Sequence, residues 1–97
     1  MMASSKQLGV RFIVSGRVQG VAFRAFTRRA ARELKICGWA RNRPDGTVEI
    51  RAWGSEEQLT QLREKVQRGP IVARVDRLEE EALETAAPGE TFEIVFS

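Results

Sequence analysis

The stretch Gly16-Arg17-Val18-Gln19-Gly20-Val21-Ala22-Phe23-Arg24 holds the residues best suited to chemistry in this chain. Two glycines and a small alanine precede an amphipathic segment, and an arginine falls in what would be the first turn of a helix. Successive backbone N–H groups curving around such a turn form an anion nest, and the helix dipole adds about half a positive charge at that end. Arg24 adds a planar fork of donors matched to two phosphate oxygens. The chemistry indicated is anion binding, with phosphate the best-matched anion. The spacing is neither the Walker A pattern, which ends in Gly-Lys-Ser/Thr, nor the dinucleotide pattern G-x-G-x-x-G.

The remaining composition limits what such a site can catalyse. The 97 residues include no His and one Cys, which excludes a Ser-His-Asp triad, a Cys-His dyad, a zinc site of Cys/His type and an intrachain disulfide. With Asp45 and Asp76 the sole aspartates, an Asp-rich metal cradle is not expected either. An enzyme built from this chain works without the usual proton shuttle, and no metal is expected. Sixteen Lys+Arg against 13 Asp+Glu give a net charge of +3, compatible with small anionic ligands but too weak an excess to indicate nucleic acid. No apolar stretch approaches a membrane span, and the polar start lacks the apolar core of a signal peptide. A cytoplasmic protein without a membrane partner is the expectation, with residues 1–7 a flexible tail and 8–97 a single domain.

The elements that must hold this loop follow from periodicity. Leu8, Val10, Phe12 and Val14 share one parity, the signature of a strand with one buried face, and Gly16 and Gly20 then bracket the loop. From about Ala22 to Leu34 the apolar positions Phe23, Phe26, Ala30 and Leu34 form one stripe, with Arg28, Arg29, Arg32 and Glu33 on the outer arc. Strands are predicted over Ile36–Arg43 and Thr47–Trp53, joined into a hairpin by Pro44-Asp45-Gly46. Ser55-Glu56-Glu57-Gln58 is a capping-box sequence opening a second helix, with Leu59, Leu62 and Val66 inward and Gly69-Pro70 ending it. A strand from Val72 to about Leu83 carries a parity conflict between Val75 and Leu78 that predicts a bulge. Phe92, Ile94 and Phe96 alternate in a last short strand. This order predicts an α+β, ferredoxin-like β-α-β-β-α-β sandwich, its sheet mainly antiparallel, both helices on one face, with an extra short C-terminal strand.

Two runs make the sequence more specific. GRVQGVAFR, from Gly16 to Arg24, resembles the first signature of the acylphosphatases, and GWARNRPDGTVEIRAWG, from Gly38 to Gly54, resembles the second. The resemblance covers the chain from Leu8 to Phe96. It implies hydrolysis of the mixed anhydride of small acyl phosphates to a carboxylate and inorganic phosphate, with no cofactor. It also implies roles: Arg24 binds the phosphate, Asn42 orients the attacking water, and the amides of Gln19, Gly20, Val21, Ala22 and Phe23 complete the cradle. Inorganic phosphate, as product, is expected to inhibit competitively. Ala22 stands at a variable position of the first signature, and Phe96 where a tyrosine is expected.

Such a reaction suits a histidine-free chain. A carboxylate leaves without being protonated, and phosphoryl transfer through a loose transition state asks mainly for positioning and charge stabilisation. The alternative reading is a non-catalytic binding module of the same fold, for RNA or an anionic ligand. RNA-binding relatives of this plan stack bases on aromatics of the central strands, whereas Thr47-Val48-Glu49-Ile50-Arg51-Ala52-Trp53 lacks that run. Trp39 and Trp53 are expected to pack in the domain, with flanking an acyl group the alternative for either; parity does not settle which. Cys37 reads as a buried apolar residue and Glu79-Glu80-Glu81 as solvated surface. No long apolar seam calls for a second subunit, so a monomer is expected.

Overall fold

A computed structural model of the chain describes residues 7–96. The tail expected over residues 1–7 lies, apart from Gln7, outside the described residues. The elements are β1 (Leu8–Arg17), α1 (Phe23–Glu33), β2 (Cys37–Asn42), β3 (Val48–Gly54), α2 (Glu56–Arg68), β4 (Arg74–Leu83) and β5 (Phe92–Ile94). They form one sheet in the order β4-β1-β3-β2-β5, antiparallel throughout except where β5 runs parallel to β2. This is the predicted ferredoxin-like sandwich with its additional short strand. No helix among the described residues is long and apolar enough to cross a membrane.

The helices cover one face because each element supplies one apolar stripe. Phe12 and Val14 of β1, Val48 and Ile50 of β3, Ala40 of β2 and Phe92 of β5 meet Phe23 and Ala31 of α1 and Leu62 and Val66 of α2. The stripe on α1 is turned slightly from the one predicted. Thr27 is fully buried, while Phe26 is half-buried against Phe23. Burial of Thr27 is tolerated because its hydroxyl donates to the Phe23 carbonyl at 3.0 Å, leaving no polar group unsatisfied. α2 starts as its sequence dictates. The Ser55 hydroxyl accepts from the Gln58 amide at 3.1 Å and the Gln58 side chain accepts from the Ser55 amide at 2.7 Å. Gln58 also donates to the Leu34 carbonyl at 2.9 Å, joining the cap of α2 to the end of α1.

The predicted irregularity in β4 is present. Ser15 pairs with Arg77 and Gly16 with Val75, so Asp76 is the extra residue of a bulge. Gly16 sits at φ +126° there, where a Cβ would collide with the Arg74 carbonyl oxygen. The bulge lets β1 end where the Gly16–Arg24 loop begins.

The open face of the sheet carries a carboxylate that the sequence does not mark as buried. Glu49 lies off the apolar parity of β3, yet its side chain is only 1% exposed. Arg11 of β1, Arg41 of β2 and Arg51 of β3 fold over it, with contacts of 2.7, 2.8 and 3.0 Å. Burial alone would push this carboxyl up, but hydrogen bonds from the three guanidiniums outweigh it and hold its pKa at about 2. A carboxylate whose pKa is depressed on folding stabilises the fold above its unfolded value and loses that contribution as pH falls through the folded one. The contribution is on the order of 3 kcal/mol. In urea titrations, the wild type should therefore lose more stability than Glu49→Gln between about pH 4.5 and pH 2. Equal losses would show that this cluster does not lock the three strands. At neutral pH, Ser55→Ala should cost about 1 kcal/mol in the same titrations.

Candidate functional site

The loop from Val18 to Ala22 turns the chain from β1 into α1 through left-handed backbone. Gly20 has φ +76°, which glycine adopts freely. Ala22, the N-cap of α1, has φ +60° and ψ +28°, a conformation that costs a residue with a Cβ about 1–2 kcal/mol. Strain of this kind is usually held where backbone groups must be aimed. Here it points the start of α1 into a cavity. Ala22 makes no side-chain cap, and the first turn contains no acidic residue. The first intrahelical bond runs from the Phe26 amide to the Ala22 carbonyl at 3.0 Å, so the amides of Phe23, Arg24 and Ala25 have no acceptor within the helix.

The cavity at this helix end has a volume of about 160 Å³. Gly20, Ala22, Phe23, Arg24 and Ala25 line it from the loop and α1, and Asn42 lines it from the end of β2. Val18, Ile94 and Phe96 make its apolar side. Arg24 and Asn42 are both half-buried. Among the described residues no carboxylate pairs with Arg24; its guanidinium carbon lies 4.8 Å from the centre of the Phe96 ring. The neighbouring cations differ, since Arg43 reaches Asp45 at 3.6 Å and Arg41 reaches Glu49 at 2.8 Å. The charge facing the cavity is thus positive, supplied by one arginine and a helix N-terminus.

Asn42 reaches this position through the hairpin. It pairs with Val48 at the last position of the β2–β3 ladder, and the turn beyond closes by Arg43 N–H donating to the Thr47 carbonyl at 2.8 Å. Asp45 fixes the turn by accepting from the Thr47 amide and hydroxyl at 3.0 and 2.6 Å.

The residues read from the sequence as phosphate-binding divide into two sets. Gly20, Ala22, Phe23 and Arg24 line the cavity together with Asn42, whereas Gln19 and Val21 do not. Val21 packs on the core. The Gln19 side chain reaches the turn between β2 and β3 and donates to the Arg43 and Thr47 carbonyls, both at 2.8 Å. It thereby fastens the loop to the turn that follows Asn42. Neither tryptophan lines the cavity. Trp53 donates to the Thr85 carbonyl at 2.8 Å, and Trp39 lies on the open face against Arg41 and Arg51. Glu79, Glu80 and Glu81 form ion pairs with Arg77, Arg63 and Arg11. Sequence reading did not single out Ala25 and Ile94 as lining residues; their place follows from the helix entry angle and the parallel register of β5.

A family model described as Acylphosphatase matches residues 10–94. An acylphosphatase of Legionella pneumophila strain Corby is 50% identical over 72 residues, covering 74% of this chain and 79% of that protein. One from Nitratidesulfovibrio vulgaris strain DP4 is 46% identical over 88 residues, covering 88% and 87% respectively. The crystal structure of the acylphosphatase from Bacillus subtilis superposes with a TM-score of 0.87 at 40% identity, covering 91% of this chain and 98% of that one. A match over nearly the whole domain, in sequence and in fold, means that the chain belongs to the acylphosphatase family of enzymes.

Proposed function

We propose that the chain hydrolyses small acyl phosphates at the cavity between the Gly16–Arg24 loop and Asn42, with Arg24 and the loop amides holding phosphate and Asn42 orienting water. One observation carries this reading: Arg24 and Asn42, from segments separated by a helix and its connection to β2, line the same positively charged cavity. The substrate phosphate lies against the open amides at the start of α1, with the guanidinium fork of Arg24 on two of its oxygens. These donors stand where charge spreads over the phosphoryl oxygens in the transition state.

Water approaches phosphorus opposite the leaving group, held by the Asn42 side-chain carbonyl accepting one of its hydrogens. The P–O bond to the acyl group breaks and its electron pair leaves with the carboxylate oxygen. That leaving group is a weak base and needs no proton. The proton lost by water passes to a phosphoryl oxygen of the substrate, so the products are a carboxylate and inorganic phosphate. The mechanism requires positioning and electrostatics alone, which agrees with a chain lacking histidine. The chain acts as a monomer on a small molecule, without nucleic acid, membrane or cofactor.

Gln19 acts as a positioning residue. Its two hydrogen bonds hold the cradle against the turn beyond Asn42, and loss of that tie lets phosphate and water drift apart. The assay is phosphate release from an acyl phosphate. Arg24→Gln should lower kcat/KM by about 10³-fold or more, and Asn42→Ala should lower kcat by about 10²–10³-fold with little change in KM. Gln19→Ala should lower kcat by about ten- to a hundredfold through misalignment. Inorganic phosphate should inhibit the wild type competitively and Arg24→Gln far less, and a chelator should change nothing. Full activity in Arg24→Gln would overturn the assignment.

A further inference from the structure

Resting on the reading that Arg24 holds the substrate phosphate, we propose that Phe96, backed by Ile94, is an acyl-binding wall that selects acyl phosphates with aromatic or larger aliphatic acyl groups over acetyl phosphate. Phe96 is 80% exposed, and among the described residues it is the exposed large apolar side chain that lines the cavity. The others, Leu8, Ile71 and Val72, do not line it.

Its position is fixed by the sheet. β5 pairs with β2 so that Ile94 lies opposite Ala40, and the Val95 amide continues the pairing by donating to the Ala40 carbonyl at 2.9 Å. Two residues beyond Ile94, Phe96 therefore comes level with Asn42, two residues beyond Ala40. The ring stands 4.8 Å from the Arg24 guanidinium carbon. A guanidinium covered on its face keeps its in-plane N–H donors, so contact with Phe96 and bidentate binding of phosphate are compatible.

The size of the cavity decides where an acyl group goes. A volume of about 160 Å³ is well below the ~300–1,000 Å³ of sites that enclose drug-sized ligands. Phosphate occupies the polar end beside Arg24, and the acyl carbon stands one bridging oxygen away from phosphorus. A benzoyl or longer aliphatic group must therefore leave the cavity at its mouth, where Phe96 and Ile94 are the apolar surfaces available to cover it. An acetyl group is too short to bury much of that ring.

The experiment compares kcat/KM for benzoyl phosphate and acetyl phosphate in the wild type, Phe96→Ala and Phe96→Leu, with the inhibition constant of inorganic phosphate measured for each. Phe96→Ala should lower the benzoyl-to-acetyl ratio by about three- to tenfold, the range expected for loss of one aromatic contact. Because Phe96 also touches Arg24, the readout is the ratio rather than either rate alone, and Phe96→Leu should retain most of that ratio. An unchanged ratio overturns the acyl wall. Equal losses with both substrates and weaker phosphate inhibition overturn it too, because Phe96 then only props Arg24. A wild type that hydrolyses neither substrate overturns the underlying reading of the site instead.

Discussion

The Gln19 side chain makes the interaction on which the proposed site depends. In this sheet β3 lies between β1 and β2, so the loop leaving β1 and the residue ending β2 have a strand between them. The proposed anion cradle belongs to the first and Asn42 to the second. Gln19 joins them at the turn between β2 and β3, donating both hydrogens of its amide to the carbonyls of Arg43 and Thr47. Two half-buried bonds of this kind each contribute about 1 kcal/mol to stability, but their geometric consequence is larger. They convert two neighbouring loops into one wall.

Around that tie the molecule separates firmness from strain. Below the site the strands are locked in register, by apolar packing on the helix side and by the Glu49 cluster joining β1, β2 and β3 on the open side. At the site the backbone departs from regular structure, with a bulge at Asp76 and left-handed residues at Gly20 and Ala22. Helix α1 starts without a side-chain cap, while α2 starts with a complete capping box. The contrast within one small domain is informative, because the sequence can cap a helix and does so where no ligand is expected. An anion at the start of α1 would occupy the place of the missing cap.

Much of this was legible in the sequence because it is local. Alternation in Leu8–Val14, the Pro44-Asp45-Gly46 turn, the Ser55–Gln58 capping box and the parity conflict in β4 each act over a few residues, and each predicts its element. The pair proposed as catalytic comes from two motifs, and the fold brings Arg24 and Asn42 to one cavity. What was not legible depends on register between distant strands. Glu49 looks like a surface residue until Arg11, 38 positions away, is laid beside it. Gln19 reads as part of the cradle until its side chain is found on carbonyls of the next hairpin. The stripe on α1 was read with Phe26 inward because hydrophobicity favours it, yet a threonine able to satisfy its own hydroxyl takes the buried place. Phe96 falls beyond the end of β5, and its meeting with Arg24 is set by the parallel pairing of β5 with β2.

In the proposed site the loop, Arg24 and Asn42 act as one unit held together by Gln19. Titrating inorganic phosphate into isotope-labelled protein and following amide resonances tests it most directly. The backbone amides of Gly20 and Phe23–Ala25 and the side-chain amide of Asn42 should shift together with one dissociation constant. Gln19→Ala should uncouple Asn42 from the response while the amides at the start of α1 still bind. Phosphate shifts confined to the open sheet face around Trp39 and Arg51, or an Asn42 that responds identically with and without Gln19, would contradict it.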